Sequence, residues 1–413
     1  MTTINNQEDI SLSYVMDVDL SQKNSLDFLH HHFQSYYRVT PVDLPDRFSR
    51  REFAFVFFGG RGMLRHLSFS KKQALNEFVG QRAPAHAYYS TAYYQTPDAR
   101  TMQEKGWMGA ELIFDLDADH LPNADVIPYH QQLSLVKKEF YKLVDDFLLN
   151  DFGFEESSLE LYFSGGRGYH CHVKDPKILH LDSGERREIV DYIIGRDFSD
   201  SVVFFDHSTG VTKIGAQQYS SGKSLTMPSP DEPGWKGRIS RGLIELIEDI
   251  IQSDDPIEKL KEYGVAPATA ERLLADFSSD RINRIKQGKL DQSKAIRRFF
   301  LNNVLRKTAV SYASGETDEP VTCDTKRLIR LPGSLHGKTG LKVTEVTLDT
   351  LEEFDPLQDA IAFSDELIQI EMLQKNEVFF NNETFHLEEG MQEVPLYLAI
   401  FLIGRKMAQI SSK

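Results

Sequence analysis

The nine residues Glu111-Leu-Ile-Phe-Asp-Leu-Asp-Ala-Asp119 constrain the fold of this chain more than any other stretch. Their apolar run reads as a buried β-strand. Side chains alternate between the faces of a strand, so Asp115 and Asp117 leave from one face while Leu116 returns to the core. Two neighbouring carboxylates repel unless a cation sits between them or one is protonated. A hard divalent ion with oxygen ligands, Mg2+ or Mn2+, satisfies the pair. Solvated strand ends and the single-metal sites of sugar transferases also use Asp-x-Asp, so its meaning depends on what accompanies it.

Two further segments accompany it. In Leu159-Glu-Leu-Tyr-Phe-Ser-Gly-Gly-Arg-Gly-Tyr-His170 a short strand runs into a glycine-rich turn. Glycines let backbone N–H groups approach an anion, Arg167 offers a planar fork for phosphate oxygens, and His170 can donate a hydrogen bond. Read alone, this is also an ordinary hairpin with a surface arginine. Val321-Thr-Cys-Asp-Thr-Lys-Arg-Leu-Ile-Arg-Leu-Pro-Gly-Ser-Leu-His-Gly-Lys-Thr-Gly340 gathers Asp324, Lys326, Arg327, Arg330, His336 and Lys338. A helical turn would put Arg327 and Arg330 on one side. A solvated basic loop is the alternative.

Together the three segments resemble the catalytic small subunit of archaeal and eukaryotic DNA primase, most closely its archaeal form. The similarity spans about residues 25 to 405, through Arg51-Glu-Phe-Ala-Phe, Met63-Leu-Arg-His-Leu-Ser-Phe69, Tyr88-Tyr-Ser-Thr-Ala-Tyr-Tyr94, Lys105-Gly-Trp107 and Val394-Pro-Leu-Tyr-Leu-Ala-Ile-Phe401. The resemblance implies a mixed α+β primase fold with β-sheets flanked by helices. It implies metal-binding catalytic carboxylates at Asp115, Asp117 and Asp324, holding two Mg2+ or Mn2+ ions. It places nucleotide contacts at Ser164, Arg167, His170, Arg330 and His336, and at Arg65 with Glu52 nearby. It further implies a single-stranded DNA template, NTP or dNTP substrates, and a large iron–sulfur primase subunit as heterodimer partner. Many relatives carry a zinc site after the Asp-x-Asp strand. Here residues 119–140 hold His120 and His130 but no cysteine, so no zinc knuckle is expected.

The formal charge of -15 is unexpected for a template binder, because phosphate contacts need basic surface. Basic residues cluster instead at Arg61 and Arg65, at Arg167, and at Lys326, Arg327, Arg330 and Lys338, which suits a focused cationic cleft. The two cysteines, Cys171 and Cys323, cannot form a disulfide framework and read as buried fillers. The N-terminus lacks the pattern of a signal peptide, and Leu396 to Ile403 is too short to span a bilayer. A cytoplasmic protein without membrane attachment is expected.

Along the chain, residues 1–22 read as a polar, mobile lead. A helix is expected at Leu26–Tyr37, and a hairpin at Arg51–Phe58 and Met63–Phe69 around Gly59-Gly-Arg-Gly62. Leu133, Val136, Phe140, Val144 and Phe147 predict a helix near 130–149, and another is expected at Gly184–Ile194. Beyond the breaker-rich Pro228–Gly234, apolar residues from Leu243 to Ile251 predict an amphipathic helix, and Asp254-Asp-Pro256 caps the next. The expected order is a lead (1–22), the first part of a catalytic domain (23–230), an inserted helical module (231–295) and the second part (296–413). The activity expected is de novo primer synthesis by two-metal nucleotidyl transfer during replication. The rivals are a repair or end-joining polymerase of the same superfamily, a sugar transferase, and a non-catalytic nucleotide- or nucleic-acid-binding subunit.

Overall fold

In the computed structural model, residues 7–120, 126–198, 205–208, 211–214, 217–220, 223–277, 279–287, 299, 307–308, 310–311, 313 and 314–411 are described. The fold is α+β. The chain divides into two compact units, one of residues 1–141, 155–187 and 317–413, the other of 142–154 and 188–316.

The first unit holds two four-stranded antiparallel sheets. One has the order β13-β3-β1-β2, built from β1 (Phe53–Val56), β2 (Leu64–Leu67), β3 (His86–Ser90) and β13 (Leu328–Arg330). The other has the order β14-β7-β8-β6, built from β6 (Leu112–Asp117), β7 (Leu159–Phe163), β8 (Gly168–Val173) and β14 (Thr344–Val346). A short ribbon pairs β4 (Ala92–Tyr94) with β5 (Trp107–Ala110). The late basic block therefore supplies a strand to the first sheet, and the chain just beyond it supplies one to the second.

The expected hairpin around Gly59–Gly62 forms, with shorter strands than the sequence suggested. The helix expected at Leu26–Tyr37 lies within a longer one, Gln7–Val39; residues 1–6 of the expected lead lie outside the described residues. The stripe of Leu133, Val136 and Phe140 is buried on the α-helix Tyr129–Lys142, and Val144 and Phe147 are buried on a π-helical turn, Leu143–Asp151. The stretch 119–140, where no zinc knuckle is expected, is described except for residues 121–125. Leu396–Gly404 is a buried helix, and among the described residues no helix is long and apolar enough to cross a membrane.

The second unit contains the helix Gly234–Gln252, which buries Leu243, Leu246, Ile247 and Ile250 as its periodicity requires. Asp255 caps Pro256–Glu262 by accepting from the Glu258 N–H. Two antiparallel ribbons precede these helices. They pair β9 (Phe205–Ser208) with β12 (Lys223–Thr226), and β10 (Val211–Ile214) with β11 (Gln217–Ser220).

The pairing of β6 with β8 positions the motif carboxylates, with Asp115 opposite His170 and Asp117 opposite Gly168. A methyl group on Gly168 would lie 2.0 Å from the Leu116 carbonyl oxygen, so no larger residue fits this register. Gly168→Ala is expected to destabilise the protein by about 1–3 kcal/mol, as overpacking does. An unchanged denaturation midpoint would contradict the register.

Candidate active site

Alternation along β6 buries Leu116 and leaves Asp115 and Asp117 half-buried on the other face. Both line a cavity of about 660 Å³ together with Ser164, Arg167, His170, Arg327, Arg330 and His336. Two separate segments, the glycine loop and the late block, thus meet over the Asp-x-Asp strand. Their junction depends on glycine. Gly165 has φ +73°, and a methyl group there would sit 3.0 Å from the His336 side chain; one on Gly166 would meet His336 Nε2 at 3.2 Å. Thr339 fastens the junction, its hydroxyl donating to the Gly165 carbonyl.

Several side chains at the site are already held. Ser164 Oγ accepts from the N–H groups of Gly166 (3.2 Å) and Gly168 (3.3 Å), so it shapes the loop. Arg167 pairs with Asp119 and lies 3.5 Å from Asp117. Arg330 donates to His86 Nδ1 and lies over the Tyr88 ring at 4.6 Å. His86 also accepts from the Gly337 N–H at 3.2 Å, and its ring centre lies 4.9 Å from that of His336. Burial lowers the Arg330 pKa from its ordinary value, while nearby Tyr88, Tyr37, Asp115 and Asp117 act the other way. Burial also drives His170 and His336 well below the usual histidine range, assisted by His172 and Arg330 respectively. Both are neutral imidazoles at pH 7.

Behind His170 runs a buried polar chain that the sequence reading did not single out. His170 Nδ1 lies 2.9 Å from His172 Nε2, and His172 Nδ1 lies 2.9 Å from Glu111 Oε2. Glu111 is ion-paired with fully buried Arg51 and accepts from the Tyr93 hydroxyl at 2.9 Å. Burial alone would raise the Glu111 pKa, but Arg51 and His172 hold it well below the carboxylate range. His170 Nε2, at the other end of the chain, has no hydrogen-bond partner. The signal for His172 was its i+2 spacing from His170, which puts both on one strand face.

One expectation needs revision, and two expected site residues stand outside the cavity. Arg327 and Arg330 do not share a helical turn, because Leu328–Arg330 is a strand paired with β3. Arg65 is not among the residues that line the cavity; it bonds to buried Glu52 at 3.1 Å. Asp324 does not line it either. It follows the helix Glu319–Cys323, which packs beside β6 through the Asp318 N–H to Asp115 carbonyl bond (2.9 Å). Among the described residues, no group of three or more His, Cys, Asp or Glu could hold a metal unaided. Conversely, Arg405 and Lys406 line the cavity from the end of the helix Leu396–Gly404. Their only sequence signal was a cationic pair after an apolar run.

Comparison with known proteins gives the family. Residues 114–348 match the family described as DNA primase small subunit. The chain is 40% identical over 393 residues to the protein named DNA primase small subunit PriS of Methanothrix thermoacetophila, covering 93% of this chain and 98% of that one. It is 40% identical to the protein of the same name from Methanococcoides burtonii, covering 92% and 97%. The Methanosarcina barkeri protein of that name is 41% identical, with 92% and 96% covered. This chain belongs to the DNA primase small subunit family. The family match begins at Phe114 and ends past the late block, so it takes in both segments that meet over Asp115 and Asp117.

The primase cavity should respond to acid through His86, whose pKa is lowered to about 3 by burial first, then by Arg330 and Lys338. The unfolded chain protonates this histidine near pH 6.5, so its stability contribution is intact above that pH and is lost as pH falls towards 3. Each pH unit in that window costs up to about 1.4 kcal/mol per such histidine. His86→Gln should flatten the fall in denaturation midpoint between pH 6.5 and 4. An unchanged slope would contradict a neutral His86.

Proposed function

We propose that this chain is the catalytic subunit of a DNA primase, joining nucleotides de novo on a single-stranded DNA template. One observation carries the reading. Six cationic side chains, Arg167, Arg327, Arg330, Lys338, Arg405 and Lys406, share one cavity with Asp115 and Asp117, in a chain of net charge -15. That concentration of positive charge beside two carboxylates suits a nucleoside triphosphate with divalent ions.

Asp115 and Asp117 fit a hard cation of the Mg2+ or Mn2+ type. Such ions are commonly held by one or two carboxylates, with substrate phosphates and water completing the shell. A closed protein cluster is therefore not needed to seat such an ion. Asp324 would join them from beside β6. Bound ions of this kind supply Lewis acidity to the attacking hydroxyl and charge neutralisation to the departing pyrophosphate.

The chain's own residues do the remaining work. Arg330, locked by His86 and Tyr88, presents a fixed guanidinium to the triphosphate, and Arg167 is placed to exchange Asp117 and Asp119 for phosphate oxygens. As neutral imidazoles, His170 and His336 line the phosphate space without adding two more buried charges. The backbone of the Gly165–Gly166 turn permits close approach of an anion. An acidic body grips template weakly, so a large iron–sulfur subunit is proposed to supply further template contacts.

The test is an assay with purified protein, a single-stranded template, NTPs and Mg2+ or Mn2+, without primer. New short oligomers are expected. Asp115→Asn, Asp117→Asn and Asp324→Asn should each lower their synthesis by at least about 100-fold, the scale of losing one transition-state group, with unchanged circular dichroism. Extension of added primers only would favour the repair-polymerase reading. Full activity of Asp324→Asn would remove Asp324 from the site.

A further inference from the structure

Outside the cavity, Trp107 is 36% exposed, whereas the other tryptophan, Trp235, is 8% exposed. The Trp107 ring meets the His180 ring edge-to-face, with centres 6.0 Å apart. Gly106 turns the chain into β5 with φ +63°. The preceding Lys105 is wholly buried, its ammonium 2.8 Å from Glu52 Oε2. The indole Nε1 donates to the Thr325 carbonyl at 3.2 Å. Thr325 directly follows Asp324, and exposed Lys326 comes next.

The same buried Glu52 also accepts from Arg65, whose side chain is 39% exposed. Burial raises the Tyr94 phenol pKa, as do the charges of Glu52 and Asp324, while Arg65 acts the other way. Glu52 therefore anchors an exposed guanidinium and, through Lys105, an exposed indole close to the third motif carboxylate. Nothing in the cavity chemistry uses either.

We infer that Trp107 is a stacking platform for a base of the single-stranded nucleic acid, with Arg65 and Lys326 taking its phosphates. An indole fixed at its polar edge offers its ring face at little entropic cost, and every base has a face to stack on it. The flanking cations match the backbone such a base would bring. Its place next to Asp324 would seat that base beside the reacting nucleotide. The inference rests on the reading of the chain as acting on a single-stranded template.

The test titrates the full chain at low salt with an end-labelled thymidine oligonucleotide, following tryptophan emission and, separately, label anisotropy. Saturable quenching is expected in the native sequence. It should vanish in Trp107→Phe, which keeps a stacking ring and its affinity to within about three-fold, while Trp107→Ala binds about ten-fold more weakly. Binding by anisotropy with unquenched emission and unchanged Trp107→Ala affinity would overturn the inference and leave the template reading standing. No binding by either readout would overturn both. Because quenching is read in the native sequence, a folding defect in Trp107→Ala does not disable the test.

Discussion

The first unit depends on a buried ion pair. Arg51 and Glu111 are both fully buried, and Arg51 also donates to the carbonyls of Ser90 (2.8 Å) and Thr91 (3.3 Å) and to the Tyr93 hydroxyl (3.0 Å). Arg51 leads into β1 of one sheet, and Glu111 leads into β6 of the other. Removing one partner of such a pair strands a charge in the interior, at a cost of roughly 3–5 kcal/mol. The pair therefore fixes how the two sheets meet, and with them Arg330 on β13 and the carboxylates on β6.

The pair also reaches the chemistry. Glu111 holds the His172 ring through its Nδ1, and His172 orients His170. His170 is set from behind by a buried carboxylate and from the side by its strand pairing with Asp115. The same logic governs Arg330, which is held by His86 and Tyr88 on β3. Of the groups proposed to meet phosphate, His170 and Arg330 stand on strands, whereas Arg167, in the glycine turn, would exchange Asp119 for an anion.

Much of this was legible in the sequence because it rests on local periodicity. Alternation gave the shared face of Asp115 and Asp117, and the glycine turn after β7 announced the loop that carries Arg167. What depended on long-range pairing was not legible. Arg327 and Arg330 have helical spacing, but pairing of Leu328–Arg330 with β3 overrides it. Arg405 and Lys406 reach the cavity only because the helix before them packs with the sheet of β15 (Leu367–Met372) and β18 (Gly390–Pro395), which no local pattern reveals. Arg65 lies off the cavity because Glu52, one residue after the buried Arg51, draws it aside.

Two sequence-distant segments are proposed to close one triphosphate site over the Asp-x-Asp strand. The most direct measurement is a crystal structure with Mn2+ and a non-hydrolysable NTP, with manganese located by anomalous scattering. Manganese is expected on Asp115 and Asp117, with the triphosphate between Arg167 and Arg330. Manganese away from both aspartates, or a triphosphate bound outside that cavity, would contradict it.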